Sequence, residues 1–493
     1  LLTAVAIFLG AILIFIILHR NQEPEFSGKK KSIAVLPFMN TDSLRENDYI
    51  SEGLTSEIVH RLSGISGLRV VLINPGGNSH FSPLQVSRDL KVASFLRGKI
   101  KKTGDAFSIQ VDLVNTGTGA TFWSKTFQSN LNELFAFQNE LAQVVTEELH
   151  MEITSEEENR LHSRPTQNLE AYDQYLKGIY FWNKRDPASL RKGIEFFNEA
   201  ILLDSNYAKA WSGLADCYSA LGYGSHDAPS FDFLKAERAA RKALRLDSSL
   251  AEPHTSLGYI EFYYYWNWVD AEKEFLTAIR MNPDYPLAHD AYVYFLTARE
   301  RYAEAGVQIE KAYSLDPASA FIQTDQGFAL YYAGHYDRAI SVLKEVLVRY
   351  PAFPLACLWL GRSYQEKKNY PEAIHAYQMA LKKDSAWPVA QAAIGFIYGE
   401  TGHQVEAEKR LKQMTELMDR RYVTPYGMAL LYAGMKNKDK TFFWLNRAYA
   451  ERANWLVWLK QDPRWAYIKN DPRYIALQKK IGIIQETVPL SKD

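Results

Sequence analysis

From residue 236 to residue 414 the chain repeats one spacing that few folds accommodate. Ala243, Ala278, Ala312, Val346, Ala380 and Met414 stand 35, 34, 34, 34 and 34 residues apart. Seven residues before each of them comes an alanine: Ala236, Ala271, Ala305, Ala339, Ala373 and Ala407. Pro283, Pro317 and Pro351 follow five residues after three of them. Alanine at one fixed place, a residue at the other that is small except at Val346 and Met414, and a proline behind three of them describe a pair of close-packed helices, repeated along the chain. One such pair cannot bury its own apolar face, so neighbours must stack into a superhelix with a concave inner surface.

The unit around residue 360 shows the pattern most fully, with Leu360, Gly361, Tyr364, Ala373, Tyr377 and Ala380. Gly258, Gly327 and Gly395 take the same place in the first helix, and Gly334 and Gly402 the turn. This is similar to the tetratricopeptide signature. About eight repeats are expected over residues 169–455. The earliest is a diverged unit from about Tyr172, and the second, near Trp211, carries an insertion, "GYGSHDAPSFD". Residues 456–493 are expected to cap the array with short helices, since "DPRW" at Asp462 and "DPRY" at Asp471 place Asp at an N-cap and Pro at the first helical position.

Residues 32–154 follow other periods. "SIAVLPF" (Ser32 to Phe38) and "LRVVLI" (Leu68 to Ile73) are nearly continuous apolar runs, as strands covered on both faces are. Ile50, Leu54, Ile58, Val59 and Leu62 recur between them at helical spacing, which makes a parallel βαβ unit. A short helical stretch is expected near Pro83 to Leu90. Phe107, Ile109, Val111 and Leu113 then alternate with polar residues, "NTGTGA" (Asn115 to Ala120) reads as a hairpin turn, and "TFWSKTF" is the returning strand. A last helix carries Leu134, Phe137, Leu141, Val144, Val145 and Leu149.

Ahead of this domain, "LLTAVAIFLGAILIFIIL" (Leu1 to Leu18) has no charge and no proline, and as a helix it is roughly 27 Å long, close to the hydrocarbon thickness. Residues 1–19 are therefore expected to form one transmembrane helix; a signal peptide would need a basic start and a small-residue cleavage site. Residues 20–31 read as a polar linker, and its Lys29 to Lys31 as solvated. With no initiating Met, further sequence upstream of the membrane is expected. The expected location is a bacterial membrane, single-pass, with the bulk of the chain extracytoplasmic, although Arg20 and the three lysines favour the opposite orientation and only the size of the following domain argues against them. The fold class is thus an α/β domain followed by an all-α superhelix, with one N-terminal membrane helix.

The combination resembles a bacterial family in which a TolB-like domain precedes tetratricopeptide repeats. "SIAVLPFMN", "ISEGLTSEIVHRLSGISGLRVV", "GKIKKTGDAFSIQVDLVNTGTGATFWSKTF" and "LFAFQNELAQVV" look like that domain's consecutive landmarks, and "NWLVWLKQDPRWAYIKNDPRY" like the closing segment. The resemblance implies the portion C-terminal to a membrane helix in CadC-like transcriptional regulators, or a region behind a cyclase or kinase domain. No winged-helix domain lies in these residues, so nucleic-acid binding is not expected of this portion.

Little else in the sequence carries chemistry. Lys plus Arg and Asp plus Glu are 57 each, which advertises neither nucleic acid nor a basic partner. Cys217 and Cys357 are too few for a disulfide scaffold or a thiolate zinc site, and read as small buried hydrophobes. No P-loop, H-E-x-x-H or G-x-S-x-G motif occurs. His254 and His289, 35 residues apart, hold a place that normally packs. No catalytic residue, cofactor or metal is expected.

What the repeat does offer is an inner groove. Resemblance to the repeat family places groove-facing side chains at its ninth position, here Tyr259, Tyr294, Phe328, Arg362 and Phe396, and at its twelfth and thirteenth, which add Phe262, Tyr263, Tyr331, Tyr332, Gln365 and Glu366. Tyrosine-rich floors suit peptides or partner helices, although aromatics at helical spacing are equally what a core contains. In "GYIEFYYYWNW" (Gly258 to Trp268) the first half falls on the groove, and Tyr265 to Trp268 fall at the turn, where the repeat's additional residue is expected. The expected function is a non-enzymatic, membrane-anchored protein-protein interaction module, the sensing or docking part of a bacterial signalling or envelope protein. Two alternatives stand beside it: a self-assembling protein forming homo-oligomers, rings or filaments, and a membrane-bound transcriptional regulator whose DNA-binding domain lies outside this chain.

Overall fold

The computed structural model describes residues 31–42, 47–72, 90, 92–104, 106–130, 133–162 and 164–484. The expected membrane helix, all but the end of the linker, and nearly all of the short helix near Pro83 lie outside them. Among the described residues no helix is long and apolar enough to cross a membrane.

The N-terminal domain is a sheet of β1 (Lys31–Val35), β2 (Met39–Asn40), β3 (Leu68–Leu72), β4 (Ser94–Thr103), β5 (Ala106–Asn115) and β6 (Thr121–Asn130), in the order β3-β1-β4-β5-β6 with β2 also on β4. β1 runs parallel to both of its neighbours, and β4, β5 and β6 are antiparallel. The expected βαβ unit is present, with helix α1 (Asp48–Ser63) as its crossover. The expected strand from Ser32 to Phe38 is interrupted. Pro37 has no N–H to donate to the ladder, and Phe38 turns inward, where its backbone N–H donates to Thr55 Oγ1 at 2.9 Å. Its ring fills the place of a side chain at Gly98, where an added Cβ would lie 2.6 Å away. That exchange is why β4 has no clear apolar alternation in the sequence: a glycine occupies one of its core positions. Asn115 Oδ1 accepts from the backbone of Gly117 and Thr118, both at 3.0 Å, and closes the expected hairpin. Helices α1 and α2 (Leu134–Glu148) cover one face of the sheet, while Ala34, Val71, Val92, Phe95 and Val114 form a small core on the other.

Among the described residues, eight helix pairs follow from Leu169 to Ala450. Their common turn is set by backbone conformation more than by composition. Trp266, Glu300, Gly334, Lys368, Gly402 and Lys436 stand 34 residues apart, and every one is left-handed, with φ between 56° and 81°. Only Gly334 and Gly402 are glycines, so the turn persists where the residue type disfavours it. Repeat three reaches the same turn one residue late. Its additional residue is absorbed inside the first helix, as a π-helical turn over Glu261–Tyr265, and not at the turn itself as the sequence suggested. Asn267 then caps the next helix by accepting from Asp270 N.

The α/β domain is clamped to the array by helix α1. Gly53 lets it approach Leu176, where an added Cβ would stand at 3.1 Å. Glu57, 2% exposed, accepts from Tyr175 Oη at 2.8 Å and Lys209 Nζ at 3.0 Å. Burial alone would raise this carboxylate, but Lys209, His60 and Arg61 hold it down at about 2. His60 pairs with Glu252 at 3.0 Å, and Arg69 donates to the Ser314 carbonyl at 2.8 Å, so the contact runs from the first repeat to the fourth.

Three glycine substitutions separate backbone conformation from packing. Gly334→Ala, with open space for Cβ and φ at +79°, is expected to cost about 1 kcal/mol. Gly258→Ala drives a methyl to 2.5 Å from Phe275 and is expected to cost about 1 to 3 kcal/mol. Gly306→Ala, in open space within helix Tyr302–Leu315, is expected to add about 0.5 to 1 kcal/mol of stability. Chemical denaturation of the three proteins checks this order.

Candidate functional site

The first helices of successive repeats lie side by side, and their inner residues meet as the repeat register requires. Tyr223, Tyr259 and Tyr294 form one cluster with ring centroids 5.3 to 6.3 Å apart. Tyr294 and Phe328 are 4.8 Å apart, and Phe328 and Trp359 4.9 Å. The inner face that these rings form is not open along its length.

The C-terminal segment lies across it. After the last repeat the chain forms a 3-10 turn, Asn454–Trp458, with every residue buried. Trp458 stacks on Tyr332 at 4.8 Å and meets Phe328 and Phe262 edge-on at 5.3 and 6.1 Å. Trp455 lies 6.4 Å from Trp359 and 6.3 Å from Tyr426. Asn454 accepts from Ser225 Oγ at 2.8 Å and donates to the Tyr223 carbonyl at 2.7 Å. Five residues thus touch repeats two, three, five, six and eight. Arg452 and Gln461 extend the seam by donating to the carbonyls of Tyr264 and Ala298. Asp462 caps its turn as expected, pairs with Arg464, and accepts from Tyr426 Oη at 2.9 Å. Asp471 caps helix Pro472–Lys480. Trp266 stacks on Tyr449 at 5.3 Å, so the second half of the aromatic stretch also serves this closure.

The ten residues proposed from sequence for the groove are placed accordingly. Phe262, Tyr263, Tyr294, Phe328, Tyr331, Tyr332, Arg362, Gln365 and Phe396 are buried, and only Tyr259 is half-buried. As an open peptide groove this set is corrected. Phe262, Phe328 and Tyr332 hold Trp458; Gln365 accepts from Tyr377 of its own repeat at 2.9 Å; Phe396 lies under helix Pro425–Gly434. Arg362, 1% exposed, is sandwiched between Trp359 and Trp455 at 4.4 and 4.6 Å. A desolvated cation between two indole faces gains about 2 kcal/mol or more.

A polar cluster lies beside the inner tyrosines. Arg185, Asp216, Tyr259, Tyr285 and Phe321 are half-buried there. Asp290, Tyr294 and Asp325 are each 3 to 5% exposed. Tyr294 donates to Asp325 Oδ2 at 2.6 Å, and Ser256 donates to Asp216 Oδ1 at 2.6 Å. Burial pushes both the Asp290 and the Asp325 carboxyl upward. Burial also raises Asp216 to about 7, against the Ser256 hydrogen bond, with Glu252 adding to the rise. Arg185 stacks on Trp182 at 3.6 Å and reaches across to Phe321 of repeat five at 5.6 Å, and its charge acts on all three carboxyls. Sequence reasoning missed this cluster, because Asp216 and Asp290 belong to different repeat positions and Asp325 lies off the inward register.

His254 and His289 are not ligands here. Their Nδ1 atoms lie 2.6 Å from Glu274 and from Gln308 respectively, each on the second helix of its own repeat. Cys217 and Cys357 are buried, as expected. Among the described residues no three His, Cys, Asp or Glu side chains stand where they would hold a metal ion.

A tetratricopeptide repeat family matches residues 324–388, within the array. The family described as HilA/YgeH-like transcriptional regulator, second domain, matches residues 29–144, the region that resembled a TolB-like domain. A putative adenylate cyclase 3 of Rhizobium meliloti is 28% identical over 193 residues, 38% of this chain and 32% of that protein. A human protein O-mannosyl-transferase, TMTC2, is 33% identical over 87 residues, 17% of this chain and 10% of that one. The chain therefore spans about a third or less of these relatives. The solved structure of Pseudomonas aeruginosa PilF is similar over 42% of this chain and 92% of its own, at 18% identity and a TM-score of 0.30.

Asp216 makes a pH prediction of definite sign. Its folded pKa lies above the ordinary 3.8, so between about 4 and 7 the unfolded chain holds fewer protons, and folding stability falls as pH rises through that window. Asp216→Asn keeps an acceptor for Ser256 and removes the titration. The variant is expected to be more stable than the parent at pH 8, by on the order of 2 kcal/mol, and to lose that advantage at pH 4 in paired thermal melts.

Proposed function

We propose that this chain is the interaction part of a membrane-anchored bacterial signalling or envelope protein, in which the repeat array docks a protein partner and carries out no chemistry itself. The observation that carries this reading is the inner face, which holds a tryptophan-anchored polypeptide segment on tyrosine and phenylalanine side chains. A surface that accepts one such segment has the aromatic area and hydroxyl handles that recognise another. The C-terminal segment covers Phe262, Phe328, Tyr332 and Arg362, which leaves the half-buried Tyr259 for a partner.

In this reading Leu1 to Leu18 anchors the chain and the rest lies outside the cytoplasm, with the N-terminal domain TolB-like in its arrangement and the whole akin to the C-terminal part of a CadC-like regulator. The match of residues 29–144 to a transcriptional-regulator domain favours a second form of the same idea, in which a DNA-binding domain in a longer protein provides the output. The cyclase relative supports the general plan of an effector joined to such a region.

Site-specific photocrosslinking in the living bacterium tests the proposal. A benzoylphenylalanine at Tyr259 is expected to give a discrete adduct with one envelope or membrane protein, and the same group at Val348, 84% exposed on the second helix of repeat five, is expected to give none. Identical products from both positions, or no product from Tyr259, would refute docking on the inner face. Protease added to spheroplasts is expected to digest the array; full protection would refute the orientation.

A further inference from the structure

A cleft of about 790 Å³ lies on the second helix of repeat three, within the roughly 300 to 1,000 Å³ of ordinary ligand clefts. One wall is a single face of helix Trp268–Met281, and the other is Phe295 and Arg299 at the end of the next helix. The C-terminal segment braces its base. Trp268 Nε1 donates to the Ile481 carbonyl at 2.8 Å, and Gly482 passes so close that an added Cβ would stand 2.9 Å from the same nitrogen. Along the helical wall apolar and cationic side chains alternate: Val269, Lys273, Leu276 and Arg280. Steps of four, three and four residues keep them on one face, with the two apolar members about 10 Å apart and the two cations likewise. Val269 is 79% and Leu276 44% exposed. The repeat does not require this order. The same places hold Ala303, Val307, Glu310 and Ser314 in repeat four, and Asp337, Ser341, Lys344 and Val348 in repeat five.

The charge of the cleft is one-sided. Neighbouring carboxylates are engaged: Glu272 by Arg301 and by Tyr292 Oη at 2.6 Å, Asp270 by Asn267, Glu274 by His254 and Glu300 by Lys460. Arg280 donates to the Thr277 hydroxyl at 3.0 Å, and Arg299 lies over the Trp268 ring at 5.3 Å. Among the described residues no ion pair includes Lys273, Arg280 or Arg299. Negative charge therefore complements the cleft, and the pitch restricts what can bring it. A lipid or a small carboxylate carries its charge at one end of an apolar body, whereas this wall asks for apolar, acidic, apolar, acidic over about 16 Å. One face of an α-helix presents that order when apolar and acidic residues alternate at steps of three and four. A strand, with same-face neighbours about 6.8 Å apart, falls out of step with it over three intervals.

We propose that this cleft docks an amphipathic, acidic α-helix of a partner polypeptide. Its Glu or Asp residues pair with Lys273, Arg280 and Arg299, and its apolar residues cover Val269, Leu276 and the Trp268 ring. The surface differs from the inner face at Tyr259, and the assignment does not rest on docking there. Covered apolar area supplies most of the affinity, while the exposed ion pairs set orientation and choice of partner. Reversing the charges of the wall should therefore reverse which helix it prefers, an effect that a purely structural role for these cations would not produce.

The test uses the full chain in phosphatidylcholine nanodiscs and fluorescence anisotropy of labelled, end-blocked helical peptides built on alanine and glutamine. The first carries Leu and Glu alternating at steps of three and four, the second has Lys for each Glu, and the third has the composition of the first with its acidic residues gathered at one end. The alternating Glu peptide is expected to bind at least tenfold more tightly than either of the others. Lys273→Glu with Arg280→Glu, both at exposed positions, is expected to reverse the preference in favour of the Lys peptide. Leu276→Asp is expected to weaken the Glu peptide at least tenfold, and Arg299→Gln severalfold. Equal binding of the three peptides, no binding of any, or an unchanged preference in the charge-reversed protein would overturn the proposal. So would binding of dihexanoyl phosphatidylglycerol in place of the peptide, which gives the site to an anionic lipid. Tenfold tighter peptide binding by a chain ended at Ile484 would overturn it as well, because the site would then belong to the chain's own residues 485–493.

Discussion

The arrangement of the array depends on the packing of one five-residue turn. Trp455 and Trp458, carried by Asn454–Trp458, lie inside the superhelix on first helices of earlier repeats, and Asn454 beside them reaches the Tyr223 carbonyl, 231 residues earlier in sequence. A stacked repeat protein ordinarily has only nearest-neighbour contacts, and its curvature is free to flex. Here the span from repeat two to repeat eight is bridged from within. Burying an indole contributes about 1.5 to 3 kcal/mol, and each aromatic pair about 0.5 to 1.5 more. Trp458 has three such partners, Tyr332, Phe328 and Phe262, in two different repeats.

Other irregularities follow from that closure. The π-helical turn at Glu261–Tyr265 keeps the downstream turn residue in the 34-residue register while rotating Phe262 and Tyr263 inward. Phe262 reaches Trp458 and Tyr263 joins the tyrosine cluster. Arg362 occupies a place where its neighbours in the repeat carry aromatics, and two indole faces replace the water it lost. On the opposite edge, Glu57 with Lys209 and Tyr175 fixes the α/β domain, so the inner surface is bounded on both sides.

Much of this was legible in the sequence because the repeat states its own geometry. Ala243, Ala278, Ala312, Ala380 and the glycines of the first helices must be small, and Phe275 against Gly258 or Tyr377 against Gly361 shows why. β1, β3, β5 and β6 were visible as apolar runs or alternation. β4 was not, since Gly98 yields its core volume to Phe38, a residue sixty positions earlier. The inward direction of the groove residues was also legible, and their occupancy was not. "NWLVWLKQDPRW" shows local caps and turns, but nothing in its period states that it reaches back to repeat two. The Asp290 and Asp325 pair was invisible for a similar reason: it forms between repeats at unequal positions, and burial, which sets its character, is a property of the closed superhelix.

The central claim is that residues 454–458 are an integral part of the inner face and not a loosely attached tail. Hydrogen exchange of the full chain, resolved to peptides, measures this directly. The account predicts that amides of 454–465 exchange as slowly as those of helices Glu252–Ile260 and Ala320–Tyr332, and that Trp458→Ala accelerates all three segments together while leaving β4 and β5 unchanged. Exchange of 454–465 within seconds, with the two helices still protected, would contradict it.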